Sequence, residues 1–267
     1  MQMLAQSTSP QLRLIQGRNP DLKMKVGRVS EAYVGKFERE NRAKLEELER
    51  QREQLTFAAY SVGVAGIIGL TVFSPSAIAS LPALGKVLGD LQGASQRFFV
   101  MTELIKEFEE EDVAIEVGLK PEGLREVDFF LKFPDKEYIL IQLRALGTAR
   151  VTYREDRQAL RFRSKGGGAR DWKPDPLIEL LEQERWLRKH RTDLLGTSSR
   201  DRRRSLAKVI VLMSETILGE HPEHLWDRID QQNYLIIHRG GTFNLVEKDR
   251  VATFIRSYLA SRRNPKT

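Results

Sequence analysis

Three polar residues fall inside two strongly apolar runs. Asp128 lies in EVDFFLKF, and Gln142 and Arg144 lie 14 and 16 residues further on, in EYILIQLRA. Both runs read as β-strands, joined by a hairpin turn at Pro134-Asp135-Lys136. Side chains two apart leave the same face of a strand, so Gln142 and Arg144 point the same way. A carboxylate opposite a polar–x–cation pair suits metal-dependent phosphodiester hydrolysis. Oxygen ligands hold Mg²⁺, and the cation steadies charge on the phosphate or helps position the attacking water. The competing expectation for Asp128 is a strand carboxylate paired with a neighbouring lysine or arginine.

The elements that must hold these residues follow in order. Phe98–Glu110 is helical in pattern, and Val113–Val117 alternates as a strand. After the hairpin, Gly166–Gly168 marks a loop. Asp175-Pro176 is an N-cap followed by a proline at the first helical position, opening a helix to Lys189. Lys208–Met213 reads as a strand buried on both faces. A short helix at Glu223–Ile229, a strand at Tyr234–His238 and an amphipathic closing helix from Val251 to Leu259 complete a compact α/β unit over 96–267.

This order resembles the PD-(D/E)XK nuclease superfamily, and within it the nuclease-related domain known as NERD. The resemblance runs from REVDFFLKFPDKEYILIQLRALG through DWKPDPLIELLEQERWLRKH to AKVIVLMSE. It implies a restriction-endonuclease-like core, a mixed sheet flanked by helices. It also implies Mg²⁺ as the cofactor of a nuclease if catalysis operates, with Asp128 as a metal ligand. Gln142 then stands where the family has Glu and positions water, and Arg144 stands where it has Lys and meets the phosphate. The family often adds an acidic helix residue, for which Glu103 or Glu107 is available. Gly27–Glu31 also looks like the family's helix opening. Gln142 keeps an amide oxygen, but a forked guanidinium is no shape substitute for an ammonium, so the site is expected to be impaired. The alternative is a catalytically inactive module, tethered to a membrane, that binds nucleic acid or another protein.

Charge supports a polyanionic partner. The chain carries 44 Lys and Arg against 37 Asp and Glu, a net +7. The stretch from Arg150 to Lys208 alone carries +8, with 17 basic and 9 acidic residues. Its candidate phosphate contacts are Arg150, Arg154, Arg161, Arg163, Lys165, Arg200, Arg202, Arg203 and Arg204. Nucleic acid is the expected partner, DNA ahead of RNA. Trp172 is available to stack on bases, whereas Tyr153 and Phe162 read as core-facing strand residues.

Towards the N-terminus, 1–26 reads as a loose arm and 27–56 as a highly charged helix with a thin apolar stripe. The run from Phe57 to Gly85 holds 29 residues without one charge. With Ala59, Gly63, Gly66 and Gly69 as a small-residue face, 57–92 reads as a membrane-type segment, either one span or a hairpin broken at Pro82 on its return. The expected location is the cytoplasmic face of a membrane, or otherwise the cytoplasm, since no basic-then-apolar leader pattern opens the sequence. Oligomeric state is not legible.

Other chemistry is excluded or weak. Without cysteine, disulfide scaffolds, zinc ribbons, iron–sulfur clusters and thiol nucleophiles are ruled out. His221-Pro-Glu-His224 lacks the i, i+4 spacing of a zinc-protease helix and reads as a surface feature.

Overall fold

The computed structural model describes residues 20–71, 75–229 and 232–263, with side-chain surroundings from Phe37 onward apart from 65–81 and Arg202. The residues of the loose arm before Pro20 lie outside this range, and its last seven, 20–26, belong to a helix rather than to a loose segment. Helix α1 (Pro20–Thr71) crosses the change from charged to apolar composition without interruption, and α2 (Pro75–Glu107) packs against it. The pair is antiparallel. Asn41 donates from Nδ2 to the Val113 carbonyl at 2.8 Å, Leu48 shares a cluster with Val100 and Leu104, and Arg52 stacks over the Phe98 ring at 4.2 Å. Pro82 lies inside α2 rather than breaking it. A proline within a helix forgoes one backbone bond, and α2 continues through it. Among the described residues no helix is long and apolar enough to cross a membrane.

The α/β class is as expected: a mixed sheet flanked by helices. Strands β1 (Ala114–Leu119), β2 (Val127–Lys132) and β3 (Tyr138–Arg144) form an antiparallel meander. The β2–β3 turn closes by mutual backbone bonds of about 3.0 Å between Phe133 and the residues Lys136 and Glu137, and Lys136 takes the left-handed φ of 59° the turn requires. Strands β4 (Ala149–Arg154), β5 (Ala159–Ser164) and β6 (Arg170–Asp171) follow. Then come helices α3 (Pro176–His190), α4 (Thr192–Leu195) and α5 (Ser199–Arg202), and strands β7 (Leu206–Leu212) and β8 (Thr216–Leu218). The chain ends in β9 (Trp226–Ile229), β10 (Gln232–His238), β11 (Thr242–Glu247) and α6 (Val251–Arg263).

Seven strands form the main sheet in the order β1-β2-β3-β7-β11-β10-β9, with β7 parallel to both β3 and β11. The other four form a second sheet, β6-β5-β4-β8. In β3, YILIQLR is buried at every position, as expected for a strand covered on both faces. Phe129, Leu131, Ile139 and Ile141 pack on α2 and α6 through Met101, Leu104, Phe254 and Ile255. Phe130, Leu140, Ile210 and Leu212 face α3 and the second sheet through Leu177, Leu180, Val151 and Leu160. Each such side chain contributes about 1.5–3 kcal/mol on burial.

In this sheet one sequence expectation needs correction and one strand was not foreseen. Glu223–Ile229 is not a helix: a single 3₁₀ turn covers Glu223–Leu225, and Trp226–Ile229 pairs as a strand with β10. Backbone pairing at the sheet edge overrides the i, i+4 spacing of Leu225 and Ile229. Strand β11, for which no expectation was drawn from the sequence, occupies the centre of the sheet beside β7.

Candidate functional site

The β2–β3 pairing ends at Phe129↔Ile141, and beyond it the Leu143 N–H goes to the Asp128 side chain instead. Asp128 and Arg144 lie within electrostatic reach of each other, but Asp128 turns to Arg97 on α2 and Arg144 to Glu179 on α3. All three expected residues are buried: Asp128 is 3% exposed, Gln142 0% and Arg144 5%.

Their partners come from four other places. Asp128 accepts from Arg97 Nε at 2.9 Å through one oxygen and from the Leu143 N–H at 2.8 Å through the other. The same Arg97 donates from Nη2 to Glu126 at 2.6 Å. Gly118 makes that geometry possible. Its φ is +66°, and a Cβ there would meet Glu126 Oε1 at 2.8 Å. Burial pulls the Arg97 guanidinium towards a lower pKa, but Asp128 and Glu126 outweigh it, so the net shift is upward. Arg144 pairs with Glu179 on α3. Burial first, and then Arg125, push the Arg144 pKa down to about 9 against the pull of Asp128 and Asp175. Gln183, one helical turn beyond Glu179, donates from Nε2 to the carbonyls of Arg125 at 2.9 Å and Glu126 at 3.2 Å. Asp175 caps α3 by accepting the Leu177 N–H at 3.0 Å and also pairs with Arg239. Among the described residues, Gln142 has no protein hydrogen-bond partner at either amide atom.

Arg97, Glu126, Glu179 and Gln183 were not foreseen as site residues. Glu126 had a signal, being two residues from Asp128 on the same face. Gln183 had one as well, as the polar member of a buried stripe with Pro176, Leu180 and Leu187. Arg97 had none.

Glu103 is elsewhere. It lines a shallow depression with Phe99, Lys248, Asp249 and Ala252. It is six residues along α2 from Arg97, about 9 Å of helix rise. Glu107 pairs with Arg256. Among the described residues no group of three or more His, Asp and Glu gathers as metal ligands. The positions nearest Asp128 do not fit Mg²⁺ as they stand. A dication between Asp128 and Glu126 would meet the Arg97 guanidinium, and like charges at such range repel.

The basic stretch divides into two clusters. In β4 and β5 the register Arg150↔Arg163 and Thr152↔Arg161 puts Arg150, Arg154, Arg161 and Arg163 on one face. Val151, Tyr153 and Leu160 turn inwards on the other. Arg154 is engaged by Asp156 at 2.8 Å and Arg161 by Asp171 at 2.9 Å. Arg150, Arg163 and Lys165 are exposed, line one surface with Ile217 and have no ion pair among the described residues. Trp172 is not available for stacking: it is buried, edge-on to Phe162 at 6.4 Å. The second cluster, Arg200, Arg203 and Arg204, lies just before Leu206. Leu206 pairs with Tyr138 at the end of the sheet opposite Arg144, six residues and about 20 Å away. Arg204 there shares Asp201 with Lys136. The surroundings of Arg202 lie outside the described residues.

His221 is structural. Its Nε2 accepts the Tyr153 N–H at 2.9 Å, and its Nδ1 is 2.9 Å from the Gly219 carbonyl. Burial lowers its pKa, with the Gly219 hydrogen bond opposing. His224 is exposed and pairs with Glu155 at 3.0 Å. Comparison with protein-family models, curated proteins and solved structures finds no match to this chain.

Proposed function

We propose that this chain is a nuclease-like domain of PD-(D/E)XK type that binds nucleic acid, DNA ahead of RNA, without cutting it. The observation that carries this reading is the pair of opposite charge states in one domain. Asp128 and Glu126 are neutralised internally by Arg97, while Arg150, Arg163 and Lys165 stand exposed with no ion pair among the described residues. Such cations release counterions when they meet phosphates, which makes binding favourable and salt-dependent. Mg²⁺-assisted hydrolysis at Asp128, the other reading of the same motif, would first require Arg97 to withdraw.

The test is fluorescence anisotropy with labelled duplex and single-stranded 30-mers over a range of salt. Arg150→Ala/Arg163→Ala/Lys165→Ala should weaken binding at least tenfold and reduce the salt slope by about 2–3, since each of the three cations would neutralise about one phosphate. Unchanged affinity and slope would refute the assignment of this face.

The α1–α2 hairpin supports a membrane-facing position for the module. Phe57 and Tyr60 are 74% and 72% exposed, and Val64 and Leu88 are exposed beside them. A shallow, in-plane insertion of these residues suits helices of this apolarity better than a span. Liposome flotation should retain the wild-type chain and release Phe57→Ser/Tyr60→Ser. Equal retention of both would reject the contact.

A further inference from the structure

The sheet end opposite Arg144 carries a feature that nucleic-acid binding through β4 and β5 does not use. A cleft of about 860 Å³ opens where β7 and β11 begin, between β9 and β10 and the last turns of α3 and α6. Small-molecule sites span roughly 300–1,000 Å³. Six lysines and arginines line this one, against only Glu184 and Asp227.

The two acids are already engaged. Glu184 binds Lys208 Nζ at 2.7 Å and Arg188 at 2.7 Å, and Asp227 accepts the backbone N–H of Arg228 at 2.7 Å. Lys208 is 6% exposed and lies 5.5 Å from the Phe243 ring centroid, so the cleft floor carries a buried cation. Arg188 and Arg262 belong to the last turns of α3 and α6, where cations answer the helix dipole. That account does not reach Arg203 and Arg228. Both lie outside those helices, both are exposed on the rim, and neither has an ion pair among the described residues. Ile229, Ile236 and the ring of Tyr258 supply an apolar wall. A concave surface with one sign of charge concentrates anions, and the wall beside it suits a flat ring.

We propose that this cleft binds a nucleoside phosphate, with its phosphates at Arg203 and Arg228 and its base against Ile229, Ile236 and Tyr258. Free nucleotide and the phosphorylated end of a strand share this chemistry. The proposal does not depend on the nucleic-acid reading of the β4–β5 face.

Isothermal titration of the full chain with ATP, AMP, tripolyphosphate and a 5′-phosphorylated dinucleotide tests it. ATP should bind in the micromolar range, with tripolyphosphate at least tenfold weaker because it lacks a base. Arg203→Ala/Arg228→Ala should weaken ATP at least tenfold, since each removes a charge-assisted contact. Both residues are exposed, so the variant should fold, which its circular dichroism would verify. Arg150→Ala/Arg163→Ala/Lys165→Ala should leave ATP binding unchanged. Tighter binding of the dinucleotide than of ATP would assign the occupant as a strand end. Three results would overturn the proposal: no binding of ATP, AMP or dinucleotide at about 1 mM, a range where even weak sites begin to fill; tripolyphosphate binding as well as ATP; or ATP binding that survives loss of Arg203 and Arg228.

Discussion

The polar cluster under α3 and the outer face of β4 and β5 are both rich in arginine, and they do opposite things with it. Around Asp128 three guanidiniums face carboxylates: Arg97 meets Asp128 and Glu126, Arg144 meets Glu179, and Arg239 meets Asp175. The charges there are consumed by the fold. On the hairpin, Arg154 and Arg161 are likewise consumed, but Arg150, Arg163 and Lys165 are left to solvent. Buried ions must be compensated on the spot, because the effective cost of stripping their water is several kcal/mol each. Exposed ones need no compensation and stay available to a ligand. In this fold, burial separates charge that holds the structure from charge that can hold a partner.

The largest expected effect breaks the compensated side. Asp128→Ala leaves Arg97 half-partnered and the Leu143 N–H without an acceptor, and should cost about 3–5 kcal/mol in urea unfolding. A loss under about 1 kcal/mol would mean that the cluster is not holding the fold. Gln142→Met comes next and carries the opposite sign. Removing a buried amide that has no protein partner should leave stability unchanged or raise it by about 1 kcal/mol. A loss of about 2 kcal/mol or more would show that the amide has a partner, such as a bound water. On the uncompensated side, Arg150→Ala/Arg163→Ala/Lys165→Ala should shift stability by less than about 0.5 kcal/mol while it lowers nucleic-acid affinity. A large stability loss would erase the distinction between the two regions.

The smallest effect is in pH. His221 has its pKa lowered on folding, so the folded state binds less proton than the unfolded chain in the histidine range. Stability from this group is therefore present above the unfolded histidine pKa and is lost as pH falls through the folded value. Unfolding midpoints should drop as pH falls below the unfolded histidine value of about 6.5, and His221→Gln should flatten that drop. An identical pH profile for the variant would remove His221 from the account.

The strands that carry the site were legible because their periodicity is local. EVDFFLKF and EYILIQLRA announce β2 and β3, Asp175-Pro176 announces α3, and the period of two fixes the shared face of Gln142 and Arg144. What escaped the sequence was pairing. Arg97 finds Asp128 from 31 residues away on another helix, a contact set by how α2 lies against the sheet. The run of charge from Arg150 to Lys208 looked like one surface because a linear count ignores folding. Arg150 lies on β4 in the second sheet and Lys208 on β7 in the main sheet, and Asp156, Asp171 and Asp201 each engage neighbouring arginines. The helix expected over Glu223–Ile229 gives way to a strand because edge pairing with β10 decides the conformation of Trp226–Ile229.

The most direct test of an internally closed motif beside an open basic face measures binding and cutting on the same sample. Wild type and Asp128→Asn are saturated with end-labelled duplex in Mg²⁺ and then in Mn²⁺, followed by anisotropy, and resolved afterwards on a denaturing gel. The account predicts full binding and intact strands for both proteins. Cleavage by wild type that disappears in Asp128→Asn would contradict it and establish Asp128 as a working catalytic carboxylate.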